Sequence, residues 1–488
     1  MIQDELKHHI GEALGHAATS GQQRAIDVFC CFLQSRSPQA AMILRGSAGT
    51  GKTTLAAAIV RSMQALRQKL VLLAPTGRAA KVFSLYAGSA AFTIHRRIYR
   101  QQTAGDLSGF RLNDNLHHDT LFIVDEASMI AGITQNDTFG SGTLLDDLVH
   151  YVYQGQNCRL LLIGDTAQLP PVGEEEAPAL QGQVLQGYGL TVFESDLTEV
   201  LRQSRQSGIL SNATAIRQLI SHDEATQLPR LRLKGFADIT VVPGDELIEQ
   251  MASSYSRVGI DETIVVTRSN KRANIYNQGV RRTVLDREEE LCRGDQLMIV
   301  KNNYSLKGLA SGGSLSRQPS QESGGRSEAP AFLANGDRCV VQRVRNVRQL
   351  YGFRFADVTV TMPDYDDFEL SATALLDTLT TEAPALTREQ QELLYNKVME
   401  DYADIPLKSE RIKQLKGDAY YNALQIKFGY AVTCHKAQGG QWAHVYIDQG
   451  YMTDDMLTPD YLHWLYTALT RATERVFLVN WPKTQQED

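Results

Sequence analysis

One short segment constrains this chain more than any other, because it requires a strand, a tight turn and a helix in that order. Segment 46–54 is Gly-Ser-Ala-Gly-Thr-Gly-Lys-Thr-Thr, with the apolar run Ala41–Leu44 before it and the helix-forming run Leu55–Val60 after it. In that setting G-x-x-x-x-G-K-[ST] is typical of the phosphate-binding P-loop, whose backbone amides approach phosphate oxygens at a helix N-terminus. An ordinary glycine-rich turn is the alternative. The segment predicts an α/β fold with a nucleotide site at the end of a buried strand.

The residue types of the P-loop have separate tasks in holding a nucleotide. Lys52 is expected to neutralise the β- and γ-phosphates, and Thr53 is expected to bind Mg²⁺. Small residues let the backbone amides turn toward the phosphates. The residues expected to form this cradle with Lys52 and Thr53 are Gly46, Gly49, Gly51 and Thr54.

Two further apolar runs end in polar residues that suit hydrolysis. Leu121–Val124 is followed by Asp125 and Glu126, and Cys158–Gly164 is followed four residues later by Gln168. Because the carboxyl ends of parallel strands meet at one edge of a sheet, we expect these side chains beside the P-loop. Asp125 is expected to hold Mg²⁺ through water, Glu126 to orient and polarise the attacking water, and Gln168 to sense the γ-phosphate.

A cluster of basic and aromatic residues suggests contact with a nucleic-acid strand. Segment 93–100 is Thr-Ile-His-Arg-Arg-Ile-Tyr-Arg. Charges suit phosphates and rings suit bases, although a solvated helix face is the alternative. The loop Pro75–Lys81 places Thr76 and backbone amides at a helix start, which fits a backbone phosphate as well as a plain strand-to-helix turn.

Composition argues against several classes of protein. No uninterrupted apolar run approaches the ~18 residues that cross a bilayer, and the N-terminal segment lacks the apolar core of a secretory signal. The six cysteines include no C-x-x-C pair, which favours reduced thiols in a cytoplasmic protein and gives no support to zinc or iron–sulfur ligation. The formal net charge of −7 argues only mildly against nucleic-acid binding, because a basic groove can lie on an acidic body.

The chain is long enough, at 488 residues, for about two to four domains. Segment 305–333 is rich in Ser, Gly and Gln and is predicted to be a flexible loop. Alternating apolar residues at 339–344 and 356–361 predict a small β-module, and segment 386–417 is predicted to be helical. Buried apolar strands like those beside the P-loop are predicted again from about residues 428–432.

These stretches, in this order, resemble the superfamily 1 helicases of the RecD-like and Dda-like group, which translocate 5′→3′ on DNA. The resemblance extends from Gln22 to about Val479. Its most distinctive parts are Gly-Asp-Thr-Ala-Gln-Leu-Pro-Pro-Val-Gly at 164–173, Thr-Cys-His-Lys-Ala-Gln-Gly at 433–439 and Tyr-Thr-Ala-Leu-Thr-Arg-Ala at 466–472. A single motif can arise by accident, whereas the whole ordered set does not.

The resemblance implies two RecA-like P-loop domains, each a parallel sheet flanked by helices, with ATP between them. Residues 1–197 are expected to form the first domain, with a strand-separating β-hairpin inserted at about 96–118. Residues 198–295 and 421–488 are expected to form the second. Residues 296–420 are expected to be an inserted SH3-like module with the flexible loop and the helical segment.

The resemblance also assigns roles to single residues. Gln22 matches a glutamine that contacts adenine, and Arg202 and Arg471 match two arginines that reach the γ-phosphate from the second domain. Gln441 stands where related helicases often have Glu, which puts its role at the nucleotide in doubt. The positions that match or adjoin strand-contacting residues are Thr76, His95, Arg96, Thr433 and His435.

Residues and resemblance together predict an ATP-dependent DNA helicase that uses Mg²⁺ and moves 5′→3′ on single-stranded DNA. Single-stranded DNA and single/double-strand junctions are the expected partners, the active form is expected to be a monomer, and no membrane is involved. One alternative is a translocase that remodels protein–DNA complexes and unwinds weakly. Another is a nucleotide-switch regulator without a DNA substrate. No nuclease constellation is visible, so DNA cleavage is not expected.

Overall fold

The computed structural model describes residues 2–101, 110–133, 141–199, 206–222, 227–303 and 333–487. Contacts divide the chain into two compact units. Of the described residues, the first unit contains 2–101, 110–133, 141–199, 206–222, 227–244 and 437–487. The second unit contains 245–303 and 333–436. Within these ranges no helix is both long enough and apolar enough to cross a membrane.

Several helices begin at a capping Thr or Ser side chain, such as Thr76, Thr387 and Thr458. In chain order they are α1 (Ile2–Leu14), α2 (Ser20–Gln34), α3 (Lys52–Ala65), α4 (Gly77–Ala87), α5 (Ile94–Ile98), α6 (Leu144–Gln154), α7 (Gly182–Gly187), α8 (Gly208–His222), α9 (Leu247–Val258), α10 (Asn270–Gly279), α11 (Arg388–Asp401), α12 (Lys408–Gly417), α13 (Cys434–Ala437) and α14 (Pro459–Leu469).

The strands are mostly short apolar runs between these helices. In chain order they are β1 (Ala40–Gly46), β2 (Lys69–Ala74), β3 (Ala91–Thr93), β4 (Tyr99–Gln101), β5 (Phe110–Leu112), β6 (Thr120–Val124), β7 (Arg159–Gly164), β8 (Thr191–Leu197), β9 (Leu231–Arg232), β10 (Ile239–Val242), β11 (Thr263–Thr267), β12 (Gln296–Ile299), β13 (Arg338–Leu350), β14 (Phe353–Met362), β15 (Phe368–Leu375), β16 (Leu424–Phe428), β17 (Ala431–Thr433), β18 (Trp442–Asp448), β19 (Ala472–Val479) and β20 (Gln486–Glu487).

The main sheet of the first unit is parallel, in the order β3-β2-β6-β7-β1-β8. Its central strands are buried apolar runs, as expected when helices cover both faces of a parallel sheet. Helices α1, α2 and α3 contribute Ile10, Phe29 and Ile59 to the core against β1. Arg45 pairs in register with Gly164, so the loops after β1 and β7 leave the sheet at the same edge. The candidate site lies at this edge of the sheet.

Smaller groups of strands complete the first unit. β19 pairs in parallel with both β10 and β18, and β9 pairs with β20. β4 and β5 pair antiparallel, with Tyr99 opposite Leu112. They lie inside the range 96–118 predicted for a hairpin, whose residues 102–109 are outside the described part of the chain.

The second unit contains a parallel pair of strands and a closed barrel. β11 pairs in parallel with β17, beside α9 and α10. The barrel strands follow the order β12-β13-β14-β15-β16, and Phe355 and Leu375 pack beneath α11 and α12. The predicted fold class is therefore confirmed: parallel sheets flanked by helices, with a small SH3-like β-barrel and an added helical segment.

The barrel extends beyond the boundary predicted for the insertion. β16 pairs with β12 and β15, so residues 424–428 close the barrel although the insertion was expected to end at 420. The reason is that β16 and β17 are short, consecutive and largely buried strands, and their composition does not show which sheet each joins. The two units also divide the range expected for the second RecA-like domain, whose boundaries stay a prediction. Segment 305–333, apart from Leu333, lies outside the described residues.

Candidate active site

The P-loop has the geometry of an anion cradle. Gly49 and Gly51 have φ values of 77° and 80°, a region that residues with a Cβ seldom adopt. A Cβ at Gly46 would lie 2.8 Å from Lys52 Cγ, so the loop is too tight for any other residue there. Helix α3 has no side-chain cap at its N-terminus. Its first amides therefore remain available for a phosphate, which is the arrangement that a nucleotide requires. Thr53 and Thr54 lie on that first turn.

A buried carboxylate joins the P-loop lysine to a distant tyrosine. Lys52 Nζ lies 3.5 Å from Asp165 Oδ2, and Asp165 is 2% exposed. The Tyr466 hydroxyl donates to the same Asp165 oxygen at 2.7 Å and accepts from the Ala48 amide of the P-loop at 2.8 Å. Burial, and next the charge of Asp165, raise the pKa of Tyr466, so the hydroxyl stays protonated and donates. Segments 46–54, 164–173 and 466–472 thus meet at Asp165.

Sequence reasoning missed Asp165 and Tyr466 as site residues. Both lie inside segments that were singled out for their resemblance, 164–173 and 466–472. Their location in these two segments was the only indication in the sequence that Asp165 and Tyr466 belong to the site. The direct evidence is their shared hydrogen bond, which pattern and spacing do not disclose.

The two acids after β6 lie where the sequence placed them, at the edge that also carries the P-loop. Asp125 Oδ1 accepts from the Glu126 amide at 2.9 Å, and Glu126 has a strained φ of 52°. Burial, and next the charge of Glu126, raise the pKa of Asp125 to about 7. A divalent cation would oppose both effects, since it stabilises the ionised carboxylate. The described residues contain no group of three or more His, Cys, Asp and Glu that could hold a metal. The binding of Mg²⁺ by Thr53 and Asp125, together with phosphate and water, stays a prediction.

Gln168 lies in a loop that two other segments hold in place. Leu169 donates from its amide to Thr467 Oγ1 at 2.8 Å, and its carbonyl accepts from Gln438 Nε2 at 2.6 Å. The Gln168 side chain is buried, and its Oε1 finds no hydrogen-bond partner in the described part of the chain. A buried acceptor without a partner costs free energy unless a ligand or water supplies a donor. This oxygen fits a water or hydroxyl at the end of a triphosphate.

Arg471 lies beside the acid pair. Its Nη1 is 4.0 Å from Glu126 Oε1, and its Nε donates to the Thr467 carbonyl at 3.1 Å. Its Nη1 also donates to the Gly440 carbonyl at 3.3 Å, and the residue is 3% exposed. The structure therefore brings Arg471 to Glu126 while binding its guanidinium largely to backbone oxygens. Arg202, the other predicted arginine, lies outside the described residues.

The structure places Gln22 in a helix cap. Its amide oxygen accepts from the Thr19 backbone at 3.1 Å, in a reciprocal capping box that starts α2. Its Nε2 lies 3.5 Å from the Thr50 carbonyl of the P-loop, and the side chain is fully buried. Gln22 is thus near the P-loop with its oxygen already bonded, and its contact with adenine stays a prediction.

Three of the residues predicted to contact DNA lie in the first unit. Thr76 caps α4 by accepting from the Ala79 amide at 3.2 Å. A Cβ built on Gly439 would lie 3.0 Å from Thr76 Oγ1, so the end of segment 433–439 passes close to Thr76. The Arg96 guanidinium lies 5.7 Å from the Phe92 ring centre. Burial lowers the pKa of His95 to about 4, so this ring is neutral at pH 7 and would act by stacking or hydrogen bonding.

The other two lie in the second unit, at the end of β17. Thr433 is half-buried and His435 is exposed. A small cavity of about 10 Å³ beside Thr433 is also lined by Asn270, Lys427 and Lys436. Burial lowers the pKa of both lysines to about 8. The group is basic and polar, as a phosphate contact requires.

Tyr466→Phe tests the bond between α14 and the P-loop. The substitution leaves the buried Asp165 oxygen without a hydroxyl donor and the Ala48 amide without an acceptor. We expect the free energy of unfolding to fall by about 1–3 kcal/mol, the cost of an unsatisfied buried group. Urea unfolding measures this loss. Tyr86→Phe is the control, because Tyr86 is 49% exposed. Equal stability of the two variants would contradict the role of the Tyr466 hydroxyl.

Two family models match this chain. Residues 17–238 match the AAA domain, and residues 428–479 match the UvrD-like helicase C-terminal domain. The first match contains the P-loop, the acid pair and Asp165, and the second contains Tyr466 and Arg471. The two models thus cover the segments that meet at Asp165.

Two curated relatives and one solved structure are similar to this chain. The ATP-dependent RecD2 DNA helicase of Deinococcus radiodurans is 27% identical over 439 residues, which are 89% of this chain and 46% of that protein. The ATP-dependent DNA helicase dda of Enterobacteria phage T4 is 24% identical over 295 residues, 58% of this chain and 60% of that protein. The chain therefore spans about half the length of these relatives. A Pif1 helicase from Bacteroides, solved with ADP-AlF3 and ssDNA, aligns with a TM-score of 0.45 at 14% identity, covering 97% of this chain and 95% of that one.

Proposed function

We propose that this chain, which belongs to the RecD-like group of the superfamily 1 helicases, is an ATP-dependent DNA helicase that moves 5′→3′ on single-stranded DNA. The observation that supports this most strongly is the junction at Asp165. There the P-loop lysine, segment 164–173 and the helix that ends near Arg471 are joined by direct contacts. A nucleotide bound to the P-loop would meet all three at once.

The site residues divide the tasks of hydrolysis. Lys52 and the amides of the P-loop bind the phosphates. Thr53 and Asp125 would hold a Mg²⁺, which would neutralise part of the phosphate charge. Glu126 accepts a proton from the attacking water, and Gln168 Oε1 accepts a hydrogen bond from the other O–H of that water. We assign to Arg471, which lies 4.0 Å from Glu126, the stabilisation of the negative charge that develops on the phosphate.

A continuous set of contacts leads from the P-loop to a predicted DNA residue within the first unit. Asp165 starts the loop that contains Leu169, and Leu169 is bonded to Gln438. The next residue, Gly439, passes close to Thr76. We propose that nucleotide binding moves this loop, and that Gln438 passes the shift to Thr76 and so alters its grip on a DNA phosphate. Such coupling is what converts hydrolysis into movement along a strand.

Duplexes with tails of opposite polarity test the proposed activity and its direction. We expect the protein, with ATP and Mg²⁺, to unwind a duplex with a 5′ single-stranded tail and to leave one with a 3′ tail largely intact. Fluorescence strand-displacement assays on the two substrates measure this, with turnover followed in the same reactions. A preference for the 3′ tail would contradict the proposed direction. Turnover on single strands without unwinding would favour a translocase that displaces proteins.

The oligomeric state is part of the same proposal. We propose that the active form is a monomer that binds single-stranded DNA and single/double-strand junctions. Among the described residues assigned to the nucleotide site, Lys52, Asp125 and Arg471 belong to one unit of this chain. Sedimentation of the protein on a tailed duplex measures the stoichiometry of the active complex.

A further inference from the structure

Arg217 is a basic residue at the P-loop that neither the motifs nor the resemblance singled out. It lies on α8, and its Nη1 donates to the hydroxyl of Ser47, the second residue of the P-loop. Ser47 is 7% exposed, and Arg217 is half-buried. Within the described ranges its guanidinium forms no ion pair. A guanidinium is always charged and presents five donors, so most of the Arg217 donors have no partner among the described residues.

The position of Arg217 corresponds to the terminal-phosphate end of the loop. The residue after Ser47 is Ala48, whose amide bonds the Tyr466 hydroxyl, and that hydroxyl bonds the Asp165 oxygen that faces Lys52. The charge of Arg217 acts on this same hydroxyl, although burial dominates its pKa. Lys52 is the residue that contacts the β- and γ-phosphates in a P-loop. Arg217 therefore approaches the loop from the side where the last phosphate would lie.

Arg471 provides a contrast within the same unit. Its donors are directed to the carbonyls of Thr467 and Gly440 and to the Thr470 hydroxyl. Arg217 lies on a helix packed against α14, and its one side-chain partner in the described part of the chain is the Ser47 hydroxyl, at the edge of an anion cradle. Of the two, Arg217 is the one whose donors are available to a phosphate without loss of existing backbone bonds.

We propose that Arg217 binds the terminal phosphate of the nucleotide, as an arginine additional to Arg202 and Arg471. The inference rests on the proposed use of ATP. With a triphosphate in the loop, the guanidinium turns from the Ser47 hydroxyl to two oxygens of the γ-phosphate, a bidentate contact to a group that a diphosphate lacks. Arg217 therefore distinguishes the nucleotide before hydrolysis from the product.

Titration with two nucleotides tests the inference. Arg217→Gln is compared with the wild type and with Arg230→Gln, a change at an exposed arginine of the same unit. A fluorescent non-hydrolysable ATP analogue and the matching ADP are the probes. We expect Arg217→Gln to weaken binding of the ATP analogue by about tenfold or more while ADP affinity changes little, because only the triphosphate contact is lost. Arg217→Lys should recover part of the loss, since it keeps the charge without the fork.

The outcomes separate this inference from the proposed function. Unchanged ADP binding shows that the variant is folded, so a selective loss of ATP-analogue binding supports the contact. Equal losses for both nucleotides, or no loss, would overturn it and leave Arg217 as a support of Ser47. If the wild type binds neither nucleotide, the proposed function itself fails.

Discussion

Lys52→Ala is expected to abolish ATP turnover while binding of single-stranded DNA remains measurable. Lys52 is the P-loop cation, and it lies 3.5 Å from Asp165 at the point where three segments meet. Its removal takes away the charge that holds the β- and γ-phosphates and leaves the buried Asp165 without its cation. Loss of one such group from a pre-organised site lowers turnover by about a hundredfold to a thousandfold or more. DNA-stimulated phosphate release measures the effect, and fluorescence anisotropy with a labelled oligonucleotide measures DNA binding.

The control for this substitution is Lys234→Ala, because Lys234 is exposed and lies outside the site. It should hydrolyse ATP at the wild-type rate. Because Asp165 is also bonded to Tyr466 and to the Ala167 amide, the Lys52 variant should remain folded, which its DNA binding reports. Turnover retained by Lys52→Ala would mean that the P-loop is not the hydrolytic site, whatever its geometry.

Local features of the site could be predicted from sequence because they depend on neighbouring residues. The P-loop turn requires glycine at Gly49 and Gly51, where φ is positive. A glycine-rich pattern in the sequence therefore predicts the turn. The acids after β6 follow from strand ends meeting at one edge of a parallel sheet. The cap formed by Thr19 and Gln22 is also local, since Thr-x-x-Gln before a helix is a capping-box pattern. That local role competes with the adenine contact that resemblance assigned to Gln22.

Long-range pairs could not be predicted in the same way. The Tyr466 hydroxyl bonds Ala48 and Asp165 across sequence separations of 418 and 301 residues, and no periodicity reports such a pair. Arg217 lies in an ordinary amphipathic helix, where an arginine is normally a solvated residue. The barrel closes when β16 pairs with β12, which depends on the path of the chain rather than on the composition of either strand. The sequence therefore predicts the local segments but not which distant segments contact each other.

The second large effect is expected for Glu126→Gln, which should stop hydrolysis and leave ATP bound. The amide keeps the size of the side chain but does not accept a proton from water, and loss of a general base lowers turnover by about 10²–10⁴-fold. The neighbouring Asp125 would then lose the negative charge that helps to raise its pKa, so the metal-binding carboxylate should ionise more readily. Binding of the nucleotide is therefore expected to be preserved or improved.

Single-turnover and binding measurements separate these effects. Glu126→Gln should retain labelled ATP on the protein through a filter assay and release phosphate slowly, whereas Lys52→Ala should retain little ATP. Glu369→Gln, an exposed change on β15, is the matched control and should resemble the wild type in both assays. Glu126 Oε1 lies 4.0 Å from Arg471 Nη1, so the substitution also removes a negative charge beside that guanidinium, whose hydrogen bonds to Thr467, Gly440 and Thr470 remain. Tight binding with slow turnover would fit Glu126 as the base; weak binding with fast turnover would show that Glu126 only balances the charge of Arg471.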